Sequence, residues 1–259
     1  MTKRALITGA SGGIGKSIAQ KLVKDGFELF LVSQNTARLE HAAHSIEKSH
    51  PGTSVETIAL DVSDAAAVSA ALSGLKDRDL SFSVLVNGAG ISGGGITCDV
   101  TTELWDRVID VNLNGAFYII RDALRLGLLE AGGRIINIAS TGGKQGVVHG
   151  APYCASKHGL VGLTKALGLE LARNGSGITV NAVCPGFVET DMAERVREHY
   201  AKIWNTDVTE AKRRIEERVP IGRYIASEEV AAMVGYLTGP HSAGVTAQAL
   251  NVCGGLGNY

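Results

Sequence analysis

Ser140, Tyr153 and Lys157 are the residues of this chain whose types and spacing suit chemistry best. Tyr153 and Lys157 stand four positions apart in Tyr-Cys-Ala-Ser-Lys, so on a helix they share a face one turn apart. A free phenol titrates near pH 10, and a neighbouring ammonium favours the phenolate, which makes the pair a proton relay. Ser140 closes Gly133-Arg-Ile-Ile-Asn-Ile-Ala-Ser140, which reads as a strand, and a hydroxyl delivered there can hold a carbonyl oxygen. Taken singly, a Tyr-x-x-x-Lys pair arises by chance, and a strand-end serine commonly satisfies a turn.

Their company raises the reading. Lys3–Thr8 is a short apolar strand, Gly9-Ala-Ser-Gly-Gly-Ile-Gly15 turns it, and an amphipathic helix carrying Ile18, Leu22 and Val23 follows to about Asp25. Small residues let backbone approach a pyrophosphate, and the helix N-terminus offers free N–H groups. A phosphate-cradling turn and a Tyr/Lys/Ser set together imply a nicotinamide-dependent reductase. The second strand, Glu28–Ser33, ends in Ser33, Gln34 and Asn35. An NAD site usually places Asp or Glu there for the ribose 2′-hydroxyl. With no acid present and Arg38 and Lys16 as the nearest cations, the sequence favours NADPH, with NADH possible.

Further strands are expected at Ser54–Leu60, which runs into Asp61-Val62, and at Phe82–Val86, which runs into Asn87-Gly-Ala-Gly90. A sixth follows at Ile178–Val183, broken by Pro185-Gly186, and a seventh at Gln248–Val252. Nearly continuous apolar strands alternating with helices indicate a parallel sheet covered on both faces. The expected fold is therefore α/β, a Rossmann-type, doubly wound, seven-stranded parallel sheet in a single domain over 1–259. One long helix is expected from about Thr102 to Glu130, with Asn112 near its middle, and another from Tyr153 to Arg173, stopped by Asn174-Gly-Ser-Gly177. The stripe Leu163, Ala166, Leu167 and Leu171 on the latter must bury itself in the core or against another subunit. Glu189–Tyr224 differs in character: two charged helical patterns flank Trp204-Asn-Thr-Asp207, and Met192, Val196, Tyr200 and Ile203 fall on one face. It reads as a surface hairpin or as a lid over the substrate. On its second helix, Lys212, Arg213, Arg214 and Arg218 could meet an acidic partner, or pair with Glu210, Glu216 and Glu217.

Composition narrows the class. The 259 residues, 45% hydrophobic with a net charge of -1, suit one large core and give no general attraction for nucleic acid or anionic lipid. The four cysteines (Cys98, Cys154, Cys184, Cys253) show neither metal spacing nor a disulfide framework, which fits a reducing, cytoplasmic setting. No signal-peptide pattern or membrane-length apolar run is present.

These motifs together resemble the short-chain dehydrogenase/reductase family: Thr8-Gly-x-x-x-Gly-Ile-Gly15, Asn87-x-Ala-Gly90, Asn112, Ser140, Tyr153-x-x-x-Lys157 and Pro185-Gly186. Longer words are similar to the ketoreductases of aromatic (type II) polyketide synthesis: Ser140-Thr-Gly-Gly-Lys-Gln-Gly-Val-Val-His149, Cys184-Pro-Gly-Phe-Val-Glu-Thr190 and Val219-Pro-Ile-Gly-Arg-Tyr224. The resemblance implies reduction of a ketone on a poly-β-ketone borne by an acyl carrier protein, in a homotetramer. A fatty-acid-type 3-oxoacyl-carrier-protein reductase or a reductase of free ketones would use the same catalytic set. Tyr153 becomes the acid, Lys157 its electrostatic partner and ribose ligand, Ser140 the carbonyl clamp and Asn112 the anchor of a relay water. The implied cofactor residues are Thr8, Gly9, Ser11, Gly12, Gly13, Ile14, Gly15, Gln34, Asp61, Val62, Asn87, Ala89, Gly90, Pro185, Gly186, Val188 and Thr190, with Tyr153 and Lys157. Ser92, Gly93, Gly94, Ser140, Gln145 and Val147 are implied for the substrate, and no metal site is expected. The chain departs from the family at Gln34 (usually an arginine for the 2′-phosphate), Gly88 (asparagine), Ile91 (a basic residue implicated in carrier docking) and Ser92 (proline). Those positions bear on cofactor choice, docking and stereochemistry rather than on the chemistry.

Overall fold

The computed structural model describes residues 3–259. Its centre is a seven-stranded sheet, β1 (Arg4–Thr8), β2 (Glu28–Ser33), β3 (Val55–Ala59), β4 (Phe82–Asn87), β5 (Leu129–Ile138), β6 (Thr179–Pro185) and β7 (Ala249–Val252), in the order β3-β2-β1-β4-β5-β6-β7. Every pairing is parallel. The order reverses between β1 and β4, and a crevice opens outside the strand ends at such a point.

Alternation along β1 divides the core. Ala5 and Ile7 pack on one face with α1 (Gly13–Lys24), α2 (Thr36–Ser49) and α9 (Ser227–Thr238), through Ile18, Leu22, Leu39, Val230 and Val234. Leu6 faces the other way, onto α3 (Ala65–Asp77), α5 (Gly115–Arg125) and α6 (Ala151–Arg173), through Val68, Leu72, Ile119 and Leu171. The stripe expected on α6 is thus satisfied within the chain at Leu167 and Leu171, both buried in this second layer. Leu169 on the same helix is 55% exposed instead.

The long helix expected over Thr102–Glu130 is not continuous. α4 (Thr102–Ile109) passes through one turn of π-helix (Asp110–Asn114) into α5, which ends at Arg125. Gly127, at φ +63°, donates to the Leu124 carbonyl and stops the helix. Leu129 and Glu130 therefore open β5, which is longer than the Gly133 start predicts, with a register shift between Phe82 and Val84. After β6, α7 (Asp191–Ile203) and α8 (Val208–Arg218) form the hairpin expected from the charged segment, rooted by a parallel bridge between Val188 and Ile225. Thr190 caps α7 and Asp207 caps α8.

Candidate active site

Sequence and local geometry build the phosphate end first. Gly9 has φ +70°, and a Cβ there would lie 2.5 Å from the Gly88 carbonyl oxygen, while one on Gly15 would lie 2.2 Å from that of Gly9. Only glycine lets this loop lie so close to the β4 end and to α1. The cleft above it, ≈ 330 Å³, is lined by Gly9, Ser11, Gly12, Gly13, Ile14, Gly15, Gln34, Asp61, Val62, Ala89, Gly90, Tyr153, Lys157 and Thr190 from the expected cofactor set. Thr8 and Asn87 stand behind its wall: Thr8 Oγ1 accepts from the N–H groups of Gly88 and Ala89, and Asn87 Nδ2 donates to Asn137. Asn87 Oδ1 is buried without a partner, and because Asn87 does not line the cleft its role is to hold β4 against Asn137 of β5. The glycine cradle fits the phosphates of a dinucleotide, whose ribose Tyr153 and Lys157 would hold.

The chemistry-bearing residues converge at the inner end. Tyr153 and Lys157 come from the first turns of α6, where Pro152 is at home. Lys157 Nζ donates to the Ile138 carbonyl at 2.8 Å, which fixes it against the β5 end. A Cβ on Gly142 would meet both the Tyr153 ring, at 3.3 Å, and Ser140 Oγ, at 3.5 Å, so the two groups border one small space. Asn112 lies in the π-turn, an insertion frequent at functional sites. Its Oδ1 accepts from Ile91 N at 2.8 Å and its Nδ2 donates to Ile91 O and Ser156 Oγ. Asn112 Oδ1 and Lys157 Nζ flank Gly90 from within 3.3 and 3.4 Å of its Cβ position.

Electrostatics correct one expectation. The phenol of Tyr153 is pushed above its ordinary range by burial, and the Ser140 hydroxyl only partly offsets this. Desolvation is the dominant influence, and Lys157, whose Nζ sits 5.9 Å from the ring centre, is not among the groups that lower the phenol. The phenol is thereby kept protonated, the form that can give up a proton. Burial also lowers Lys157, to about 8, so it is still a cation at neutral pH.

A second cavity, ≈ 370 Å³, meets the first at Tyr153 and Met192. Ser92, Gly93, Gly94, Ser140, Gln145 and Val147 all line it, as do Pro185, Gly186 and Val188, which the resemblance assigns to the cofactor side. A Cβ on Gly94 would lie 2.1 Å from the His149 carbonyl oxygen, and Gly95 N donates to that same oxygen at 2.8 Å, so this glycine loop is seated on the loop after Ser140. Met192, Val196 and Tyr200 of α7 form its outer wall. Ile203 does not join them: at 41% exposure it faces solvent, and Ala193, Arg197, Tyr200 and Ala201 make the buried face.

Several cleft residues escape a reading of the sequence. Arg107 reaches in from α4, donating to Asp61 and Ser63, and Gln34 donates to Asp61 in turn. Arg38 does line the cleft, paired with Asp191, whereas Lys16 does not line it. Phe187, His199, Arg218 and Leu256 line the second cavity. The cluster on α8 is mostly self-paired, Arg213 with Glu210 and Glu217, Arg214 with Glu210, and Lys212 with Glu189. All four cysteines are free, no cluster of metal-ligating side chains occurs among the described residues, and no helix there is long and apolar enough to cross a membrane.

A glycine loop at the switch point of a parallel sheet, with a buried, protonated phenol and an ammonium in the same cleft, is the arrangement of a dinucleotide-dependent oxidoreductase. Within that class the chain belongs to the short-chain dehydrogenase family, whose model matches residues 3–201. A Streptomyces violaceoruber protein named as ketoacyl reductase 1 of the granaticin polyketide synthase is 55% identical over 98% of this chain and 93% of its own length. A Streptomyces coelicolor protein, also named as a ketoacyl reductase, is 54% identical over 98% of this chain and 97% of its own. Among solved structures, a single-substitution variant of actinorhodin polyketide ketoreductase with NADPH superposes with a TM-score of 0.94 at 53% identity, covering 100% of this chain and 98% of that one.

Proposed function

We propose that this protein is an NADPH-dependent ketoreductase of aromatic polyketide synthesis, acting on a ketone of a poly-β-ketone carried by an acyl carrier protein. The observation that carries this reading is the position of Tyr153, which lines both the dinucleotide cleft and the second cavity. NADPH, when bound, supplies the hydride. Ser140 and Tyr153 hold the ketone oxygen, and the Tyr153 hydroxyl gives it a proton as the alkoxide develops, a contribution of typically ~10²–10⁴-fold. The buried Lys157 ammonium then stabilises the phenolate. Asn112, beside Lys157 over Gly90, anchors the water through which the proton is replaced.

Several features support a long, largely unsaturated substrate. A cavity of ≈ 370 Å³ falls in the ~300–1,000 Å³ range of small-molecule sites, and Val147, Phe187, Met192, Val196, Tyr200 and Leu256 give it apolar walls. Arg218, at the cavity mouth, forms no ion pair among the described residues, which suits a phosphopantetheine phosphate or an acidic carrier surface. Homotetramer assembly is supported by the exposed Trp105, Phe117 and Leu169 on α4, α5 and α6. A cytoplasmic setting accords with four free thiols.

The test is NADPH oxidation with a bicyclic ketone such as a decalone beside a short acetoacetyl thioester. The proposal expects higher kcat/KM with the bicyclic ketone. Turnover of the short thioester alone would point to fatty-acid-type reduction.

A further inference from the structure

One ion pair crosses the dinucleotide cleft. Arg38 Nη2, from the start of α2, meets Asp191 Oδ2, at the first residue of α7, at 2.5 Å. The guanidinium lies directly over the glycine loop, with Nη2 3.0 Å from where a Cβ on Gly12 would sit. Both partners line the cleft, and both are about half-exposed, at 52% and 62%. Of the other guanidinium groups lining the cleft, Arg107 is held by Asp61 and Ser63 and Arg195 lies one turn along α7 from Asp191, while Gln34 supplies no charge.

From this arrangement we infer that Asp191 is a specificity-determining residue, an internal carboxylate that occupies Arg38 where the 2′-phosphate of NADPH would bind. The inference rests on the NADPH reading above. An exposed ion pair is weak, so a phosphate dianion displaces the carboxylate, but each binding event must break the pair first. Asp191 is not stranded afterwards: Arg195, one helical turn along and also lining the cleft, carries no carboxylate partner among the described residues. NADH offers nothing in exchange and leaves the pair intact. Asp191 therefore reduces the preference for NADPH over NADH that Arg38 alone would give, and it ties the root of the α7–α8 hairpin to the cofactor wall until a 2′-phosphate arrives.

Calorimetric titration of the whole protein with 2′,5′-ADP and with 5′-ADP tests this without any ketone. Asp191→Asn is expected to tighten 2′,5′-ADP by about two- to five-fold, the range of an exposed pair, and to leave 5′-ADP nearly unchanged. In an Arg38→Ala background the same substitution is expected to give no gain, since the effect runs through Arg38. Equal tightening of both ligands, a gain that survives without Arg38, or no tightening would overturn the role of Asp191. A natural protein that binds neither ligand would overturn it together with the dinucleotide reading, whereas failure of ketone turnover alone would touch only the substrate.

Discussion

Replacing Lys157 by Met should stabilise the cofactor-free protein at neutral pH while removing its activity. Burial brings Lys157 down to about 8 from an ordinary 10.5. At about 1.4 kcal/mol per pH unit, keeping that ammonium charged in the fold costs about 3 kcal/mol below pH 8. Methionine fills similar space with no charge, but it leaves the Ile138 carbonyl, which now accepts from Nζ at 2.8 Å, without its donor. That loss costs about 1–3 kcal/mol, so the Met variant should come out level with, or up to about 2 kcal/mol above, the natural protein at pH 7. The sign of the pH dependence follows from linkage. Between the folded value of about 8 and the unfolded 10.5, the unfolded chain binds more protons, so the natural protein gains stability as pH rises through that window. By about pH 9.5 it should have recovered about 2 kcal/mol relative to the variant. Urea unfolding of both proteins at fixed concentration, at pH 7 and pH 9.5, measures this. A difference that stays flat with pH, or moves in favour of the variant, would refute the buried-charge reasoning.

Other expectations follow from the same geometry. Gly94→Ala puts a methyl 2.1 Å from the His149 carbonyl oxygen, so kcat/KM for a bicyclic ketone should fall at least about ten-fold, with NADPH affinity by fluorescence titration nearly unchanged. NADPH should be preferred over NADH because no carboxylate ends β2, and Gln34→Arg should widen the preference in a kcat/KM comparison; equal values in an Asp191→Asn variant would exclude Arg38 as a phosphate ligand. Arg218→Glu should raise KM for carrier-bound substrate and leave a small free ketone unaffected, whereas reversal at Arg213 and Arg214, already engaged by Glu210 and Glu217, should cost α8 stability rather than docking. Light scattering at micromolar concentration should give a tetramer mass.

What the sequence makes legible are features written locally. The bounds of β2, the end of α6 at Arg173 and the hairpin around Trp204 follow from period, capping and glycine punctuation. The Tyr153–Lys157 spacing places both groups on one face because helix geometry leaves no alternative. The π-turn at Asn112 has no such signature: its extra residue is held by bonds to Ile91 and Ser156, in other parts of the chain. Arg107 on Asp61 and Arg38 on Asp191 join residues 46 and 153 positions apart, and no local pattern announces them. The phenol of Tyr153 departs from its sequence expectation for the same reason. Spacing reveals the nearby charge, but the burial that raises the phenol depends on the assembled walls.

Tyr153→Phe probes the central claim most directly, since the ring still packs and only the proton donor is lost. Single-turnover oxidation of bound NADPH by a bicyclic ketone should fall by ~10²–10⁴-fold while NADPH affinity stays nearly intact. A variant that retains more than about a tenth of the natural rate would contradict Tyr153 as the acid.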